Sequence, residues 1–193
     1  GIIGMNIKLK KALMCESNPL LIDLNKAKKN KEITSGIVKR HLTEEGQKLL
    51  ETDGKYYYEV RTRFNENGNP LDFLFLSRSC FNGMMRFNRK GGFNVPFCKK
   101  PNRFAQSLVT KISNQVENIS QIIESGDYTF VNQDFKETLK QLKSTDFVYS
   151  DPPYIGRHVD YFDSWTEDEE IILKEGLFNA NSKFMLSTWL SNK

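Results

Sequence analysis

Residues 145–154 read TDFVYSDPPY: Phe147, Val148 and Tyr149 make an apolar run of strand length, and an aspartate, two prolines and a tyrosine follow it. Adjacent prolines fix two φ angles and remove two backbone donors, and an aspartate ahead of a proline is biased to extended backbone. The product is a rigid loop whose carboxylate and carbonyls are acceptors without local donors. The four residues alone also suit a surface turn. The strand ahead of them favours a site, because in open α/β sheets ligands bind beyond the carboxyl ends of strands.

Two upstream stretches share this grammar. In KKALMCESNPLLIDLNKAKKN (residues 10–30) a short strand, Ala12 to Cys15, exits at Glu16. A helix then starts with Asn18 as cap and Pro19 in first position, its apolar face formed by Leu20, Leu21, Leu24 and Ala27. In DYTFVNQDFKETLKQL (residues 127–142) a strand around Thr129 to Val131 exits at Asp134, and a helix follows. Downstream, Thr166 and Glu169 form a capping box for another helix, ahead of the strand candidate KFMLSTW at residues 183–189. Strands alternating with helices predict an α/β fold with a doubly wound, mostly parallel sheet, and Glu16, Asp134 and Asp151 gather at its carboxyl edge.

Residues 32–125 break this alternation and read as an insertion between the core segments 1–31 and 126–193. TEEGQKLLET and GKYYYEVRTRFN have patches of helical spacing that would lie over another surface. Between Phe104 and Ile123, the positions Leu108, Ile112, Val116 and Ile119 predict one or two amphipathic helices packed on a core. Between these patterns lies PLDFLFLSRSCFNGMMRFNRKGGFNVPFCKKPNR, with basic residues interleaved with Phe, Met and Asn around the turn candidate RKGG.

Composition narrows the chemistry. The 193 residues are 38% hydrophobic and 12% aromatic, enough for one domain with a sizeable insertion. A net charge of +4 is too small for a global polyanion argument, so clustered charge matters more. Cys15, Cys80 and Cys98 lack CxxC spacing, and His41 and His158 stand far apart, which predicts no metal site. With no signal or transmembrane run in the sequence, the expected setting is cytoplasmic, with no membrane partner.

The Asp-Pro-Pro-Tyr loop suits an amino group on an aromatic ring: the amine would donate to Asp151 and the Pro152 carbonyl, and the ring would stack on Tyr154. DPPY after an apolar strand, combined with RSCFNGMMRFNRKGGFNVPF (residues 78–97), resembles the Dam-type, D12 class adenine-specific DNA methyltransferases. The likeness runs along nearly the whole chain in one order. It implies a class I methyltransferase fold with a helical and β-hairpin DNA-recognition insertion, the hairpin spanning residues 84–97. S-adenosylmethionine is the implied cofactor and double-stranded DNA the implied partner.

By this resemblance Gly1 is the last glycine of the loop beside the cofactor, Glu16 the acidic residue on its ribose, and Asp134 with Phe135 the pair near its adenine. Asp151, Pro152, Pro153 and Tyr154 are the implied catalytic loop, with Asp151 also beside the cofactor, and Ser187 lies in a strand near the site. Arg78, Asn82, Met84, Arg86, Asn88, Asn94, Pro96 and Lys99 are the implied DNA contacts. Arg86 would read a base, whereas Lys99, Lys100 and Arg103 would hold phosphates or simply form a solvated basic face.

The expected reaction is methyl transfer to the exocyclic amine of a flipped-out adenine in a short duplex site, GATC being one candidate. A restriction endonuclease is an expected companion. Alternatives are a non-catalytic DNA-binding specificity module or truncated remnant, and an amine methyltransferase acting on RNA or protein. The resemblance also places a further segment ahead of Gly1 and closing strands after Lys193, so the sequence is expected to be a piece of a longer protein.

Overall fold

Local capping decides where the elements begin. The computed structural model describes residues 9–88, 90–153 and 165–188. Strand β1 (Lys11–Glu16) leads into α1 (Pro19–Lys29), whose cap Asn18 accepts the Leu20 N–H on Oδ1 at 3.0 Å. Four helices follow: α2 (Ser35–Glu51), α3 (Tyr56–Asn67), α4 (Pro70–Ser79) and α5 (Gln106–Glu124). Gly68 ends α3 at φ +67°, and Asn69 caps α4 with Pro70 in first position. The chain returns to the alternating grammar with β2 (Asp127–Asn132), α6 (Phe135–Lys140), β3 (Phe147–Ser150), α7 (Glu167–Asn179) and β4 (Lys183–Leu186). Thr166 and Glu169 close both halves of the capping box at α7.

The strands form two parallel pairs. Lys11 lies opposite Asp127 and Glu16 opposite Asn132 in the first, and Phe147 opposite Lys183 and Ser150 opposite Leu186 in the second. Among the described residues the two pairs share no ladder, so the observed architecture is a helix-rich α/β fold with short parallel strands. Alternation along each strand sorts its side chains. Tyr128 and Phe130 are buried with Ile22 of α1 and Ile123 of α5. On the second pair Phe184 meets Phe178 of α7 at a ring separation of 5.4 Å, whereas Phe147, Tyr149 and Met185 are exposed on the opposite parity.

The larger core runs from Leu24 and Ala27 of α1 to Val116 of α5 and is largely aromatic. Tyr57, Phe64, Phe73, Phe75 and Phe93 are all fully buried, and Phe75 stacks on Phe104 with centroids 4.8 Å apart and planes at 3°. Burying such a side chain contributes roughly 2 kcal/mol, so this cluster outweighs the hydrogen bonds around it. Helix α5 serves both cores, with Val109 and Val116 in the aromatic cluster and Ile123 under the first strand pair. Its buried stripe is Val109, Ser113, Val116 and Ile123: the last two are expected positions, whereas Val109 and Ser113 replace the expected Leu108 and Ile112, which are half-buried.

One backbone position is set by this packing. Gly54 sits at φ +87° between α2 and α3, and a Cβ there would overlap the Phe97 ring. Gly54→Ala combines left-handed strain with that overlap, and should lower unfolding free energy by about 2–3 kcal/mol. Urea denaturation would check this, and a change under about 0.5 kcal/mol would contradict the packing.

Candidate nucleic-acid and cofactor site

The first strand pair carries two of the three predicted acids to one end. Glu16 is the last residue of β1, and its Oε1 accepts the Asn18 N–H at 3.0 Å. Asn132, opposite it, donates through Nδ2 to the carbonyls of Glu16 and Ser17 at 3.0 and 2.7 Å, which ties the two strand ends together. Asp134 follows two residues later as the cap of α6, with Oδ1 accepting the Lys136 N–H at 2.7 Å. Phe135 stands beside it, its ring 5.1 Å from that of Trp165, a neighbour the sequence reading missed.

The second pair delivers Asp151 at the carboxyl end of β3. The Ser187 N–H donates to the Ser150 carbonyl at 2.9 Å, so Ser187 and Asp151 leave neighbouring strands side by side. Asp151 is exposed, and Pro152 and Pro153 are half-buried. Gly1 and Tyr154 lie outside the described residues, as do Arg89 of the RKGG turn and His158.

Seven of the eight predicted DNA contacts fall on one small unit after α4, and the eighth, Arg78, lies in the last turn of α4 itself. Cys80 bridges Phe97 and Phe87 bridges Phe93 in antiparallel fashion, while the Phe81 N–H donates to the Pro96 carbonyl at 2.8 Å and the Cys98 N–H to the Ser79 carbonyl at 3.0 Å. Asn88 closes the turn, its Oδ1 accepting from the N–H groups of Lys90 and Gly92. Alternation again explains the composition. Phe87, Phe93 and Val95 point into the core, whereas Asn88 and Pro96 are exposed and Arg86 and Asn94 half-buried. Arg86 Nε donates to Asn94 Oδ1 at 3.0 Å, which fixes one edge of the guanidinium.

Near the open end of the unit, Asn82 (φ +53°) turns the chain so that Phe81, Met84 and Met85 are 50%, 39% and 49% exposed. Phe81 and Met85 were not singled out in the sequence, although an aromatic and a methionine beside the predicted Asn82 and Met84 were a usable signal. Lys99 is exposed at φ +57°, directly after Cys98. The Nε atoms of Arg78 and Arg103 are buried and have no hydrogen-bond partner among the described residues.

A family model for the D12 class N6 adenine-specific DNA methyltransferases matches residues 1–193. The chain belongs to that family. Its similarities to individual members are moderate. It is 28% identical to the type II methyltransferase M.FokI of Planomicrobium okeanokoites over 203 aligned positions, covering 99% of this chain and 30% of that protein. Against the DNA adenine methylase of Vibrio cholerae it is 29% identical over 161 positions, covering 80% of this chain and 53% of the relative. Against the type II methyltransferase M.MjaIII of Methanocaldococcus jannaschii it is 36% identical over 109 positions, covering 52% and 35%. The chain thus spans about a third to a half of the length of these relatives.

Across α2, α3 and α4 this D12 family chain carries a charged network that sequence reading did not find. Asp72 (1% exposed) accepts from Arg63 Nε at 2.8 Å and from Nη2, and the same Nη2 reaches Glu45 Oε2 at 2.8 Å. The Tyr56 hydroxyl and Lys48 Nζ also donate to Glu45, each at 2.8 Å. Although burial pushes the other way, the hydrogen bonds from Lys48, Arg63 and Tyr56 hold the Glu45 carboxyl down at about 2. His41 Nε2 lies 3.6 Å from Asp72 Oδ1, and burial lowers its pKa despite both carboxylates. Ligand-type atoms of His41, Glu45 and Asp72 lie within 4.8 Å of one another, but the Arg63 guanidinium already supplies the positive charge a metal ion would bring. Among the described residues no helix is long and apolar enough to cross a membrane.

Proposed function

We propose that this chain is the cofactor-binding and DNA-reading part of an enzyme that transfers a methyl group from S-adenosylmethionine to the exocyclic amine of adenine in a short duplex site. The observation that carries this reading is the pairing of two features in one family member: an Asp-Pro-Pro loop at the carboxyl end of a parallel strand, and a compact unit presenting Arg86, Asn94 and Lys99.

The two strand pairs are read as parts of one doubly wound sheet. Both are parallel, both present acids or the proline loop at their carboxyl ends, and α6 packs against β1 as well as α7. On this reading residues 1–31 and 126–193 form the core, and residues 32–125 the recognition insertion.

The residues fit the cofactor. Glu16 and Asp134 bring acceptors to the same end of one strand pair, suited to ribose hydroxyls and to the adenine amine, and Phe135 backed by Trp165 gives an apolar wall for a flat base. The cofactor supplies an activated methyl group on a sulfonium sulfur. Asp151 and the Pro152 carbonyl would accept the two amine hydrogens of the flipped adenine, turning the nitrogen lone pair out of conjugation and toward that methyl. The two prolines fix the loop and add no N–H of their own to it. Tyr154 would stack on the base.

Arg86 is the proposed base reader, and Asn94 sets the plane of its guanidinium. Lys99, Lys100 and Arg103 are proposed phosphate contacts. Replacing Arg86 by alanine should relax discrimination at one base position by about tenfold to a hundredfold, whereas Lys99→Ala should weaken all duplexes alike and flatten the salt dependence. Methylation rates on duplexes changed one base at a time would separate the two.

The reading itself is tested by offering the full-length protein labelled S-adenosylmethionine with duplex DNA, RNA and protein. Label on duplexes sharing one adenine-containing site supports it, and label on RNA or protein alone overturns it.

A further inference from the structure

The return strand of the recognition unit, Phe93 to Phe97, is bonded on one edge to the strand before it, through the Asn94 N–H to the Arg86 carbonyl at 3.2 Å. Its other edge faces α3. There Asn65 makes a reciprocal pair with one residue: Oδ1 accepts the Phe93 N–H at 2.7 Å, and Nδ2 donates to the Phe93 carbonyl at 3.1 Å. The Val95 carbonyl, next along that edge, accepts from the Tyr57 hydroxyl at 2.7 Å and from Arg61 Nη1 at 3.4 Å. The Tyr57 ring continues to Phe97, with centroids 5.5 Å apart.

The spacing explains why a helix can do this. Residues four apart on a helix are separated by roughly 6 Å along its axis, and residues two apart on a strand by roughly 6.8 Å, so positions 65 and 61 meet the edge groups of 93 and 95 nearly in step. Asn65, Arg61 and Tyr57 therefore stand in for a third strand, running antiparallel to Phe93–Phe97. An edge held this way has only one register, and a shift by one residue would turn Asn94 into the core. Burial raises the Tyr57 hydroxyl well above its ordinary range, so it remains a neutral donor.

We infer that Asn65, with Tyr57, is a positioning residue for site discrimination: it fixes the register of the strand carrying Asn94, and through Asn94 the aim of Arg86. This inference rests on the proposed base-reading role of the unit. Asn65 is itself exposed, and Phe93 is held down by its own buried ring, so loss of the amide loosens the register without opening the core.

The test is Asn65→Ala in the full-length protein, with Asn65→Asp and Tyr57→Phe as partners. Hydrogen exchange at the Phe93 amide should rise about tenfold or more in Asn65→Ala, with amides of α5 and α7 unchanged. Discrimination between the preferred duplex and single-base variants should fall about tenfold or more, through kcat/KM on the preferred duplex, while affinity for unrelated duplexes stays within about twofold. Asn65→Asp keeps the acceptor for the Phe93 N–H and should retain part of both properties, which a nonspecific packing role would not produce. If Asn65→Ala does not fold, Asn65→Asp should show a smaller rise in Phe93 exchange with a matching smaller loss of discrimination, and Tyr57→Phe, which removes only the donor to the Val95 carbonyl, should lower discrimination as well. The inference is overturned if Phe93 exchange does not change, if it rises while discrimination holds, or if activity falls equally on every duplex. A wild-type protein that methylates no duplex would instead defeat the proposed function, while Phe93 exchange would still report on the latch.

Discussion

Asp151→Ala is expected to slow methyl transfer severely while leaving the protein folded and bound to duplex. The expected loss in the single-turnover rate, at saturating cofactor and DNA, is about a thousandfold, corresponding to about 4 kcal/mol of transition-state stabilisation. The size follows from the loop's construction. Asp151 and the Pro152 carbonyl are the proposed acceptors for the amine, and the two prolines hold them on a backbone with two fixed φ angles. Stability should change by no more than about 0.5 kcal/mol, because Asp151 is exposed and lies just beyond β3. Filter binding and thermal unfolding separate these effects. A variant that retains transfer within about tenfold would remove Asp151 from the role of amine acceptor.

Arg63→Ala has the largest expected effect on stability. It leaves Asp72 and Glu45 buried without their shared cation, and costs about 3 kcal/mol, the lower end for breaking a buried pair because Arg63 itself is 41% exposed. Acid should act on the same network in the wild-type protein. Glu45 titrates at about 2 in the fold against an ordinary 4.5, so its contribution is complete above pH 4.5 and disappears as pH falls toward 2. His41 acts in the same direction at higher pH: burial lowers its pKa below 6.5, so protonation there disfavours the fold. In Arg63→Ala the Glu45 part of this acid sensitivity should shrink. Chemical denaturation of both proteins between pH 3 and pH 7 would show it, and parallel curves would contradict the assignment.

The parts of this molecule that could be read from sequence are those encoded by neighbours. Asn18 with Pro19, and Thr166 with Glu169, are caps whose partners lie within three residues, and the helices begin there. The carboxyl-end positions of Glu16 and Asp151 followed from apolar runs of strand length, and β1 and β2 proved only slightly longer than expected. The interleaving of Phe with Arg and Asn between residues 81 and 97 was read as a DNA surface. Strand alternation divides it in two, sending Phe87, Phe93 and Val95 inward and leaving Asn88, Pro96 and the half-buried Arg86 and Asn94 on the other side.

What could not be read depends on distant partners. Asn65 and Phe93 are 28 positions apart, and nothing local in GKYYYEVRTRFN distinguishes an exposed asparagine from one that holds a strand. Arg63 was not singled out, because its partners Asp72 and Glu45 reach it from two other helices. On α5 the expected Val116 and Ile123 are buried, but in the first half of the helix Val109 and Ser113 take the buried places expected for Leu108 and Ile112. Trp165 meets Phe135 from 30 positions away.

The most direct measurement of the central claim is the identity of the methylated base. The full-length protein is incubated with labelled S-adenosylmethionine and a duplex containing its preferred site, the DNA is digested to nucleosides, and the label is assigned by chromatography and mass. The account predicts label on N6-methyldeoxyadenosine from a single adenine of the site, and its absence when that adenine is replaced. Label on cytosine, or label that persists after the adenine is replaced, would contradict it.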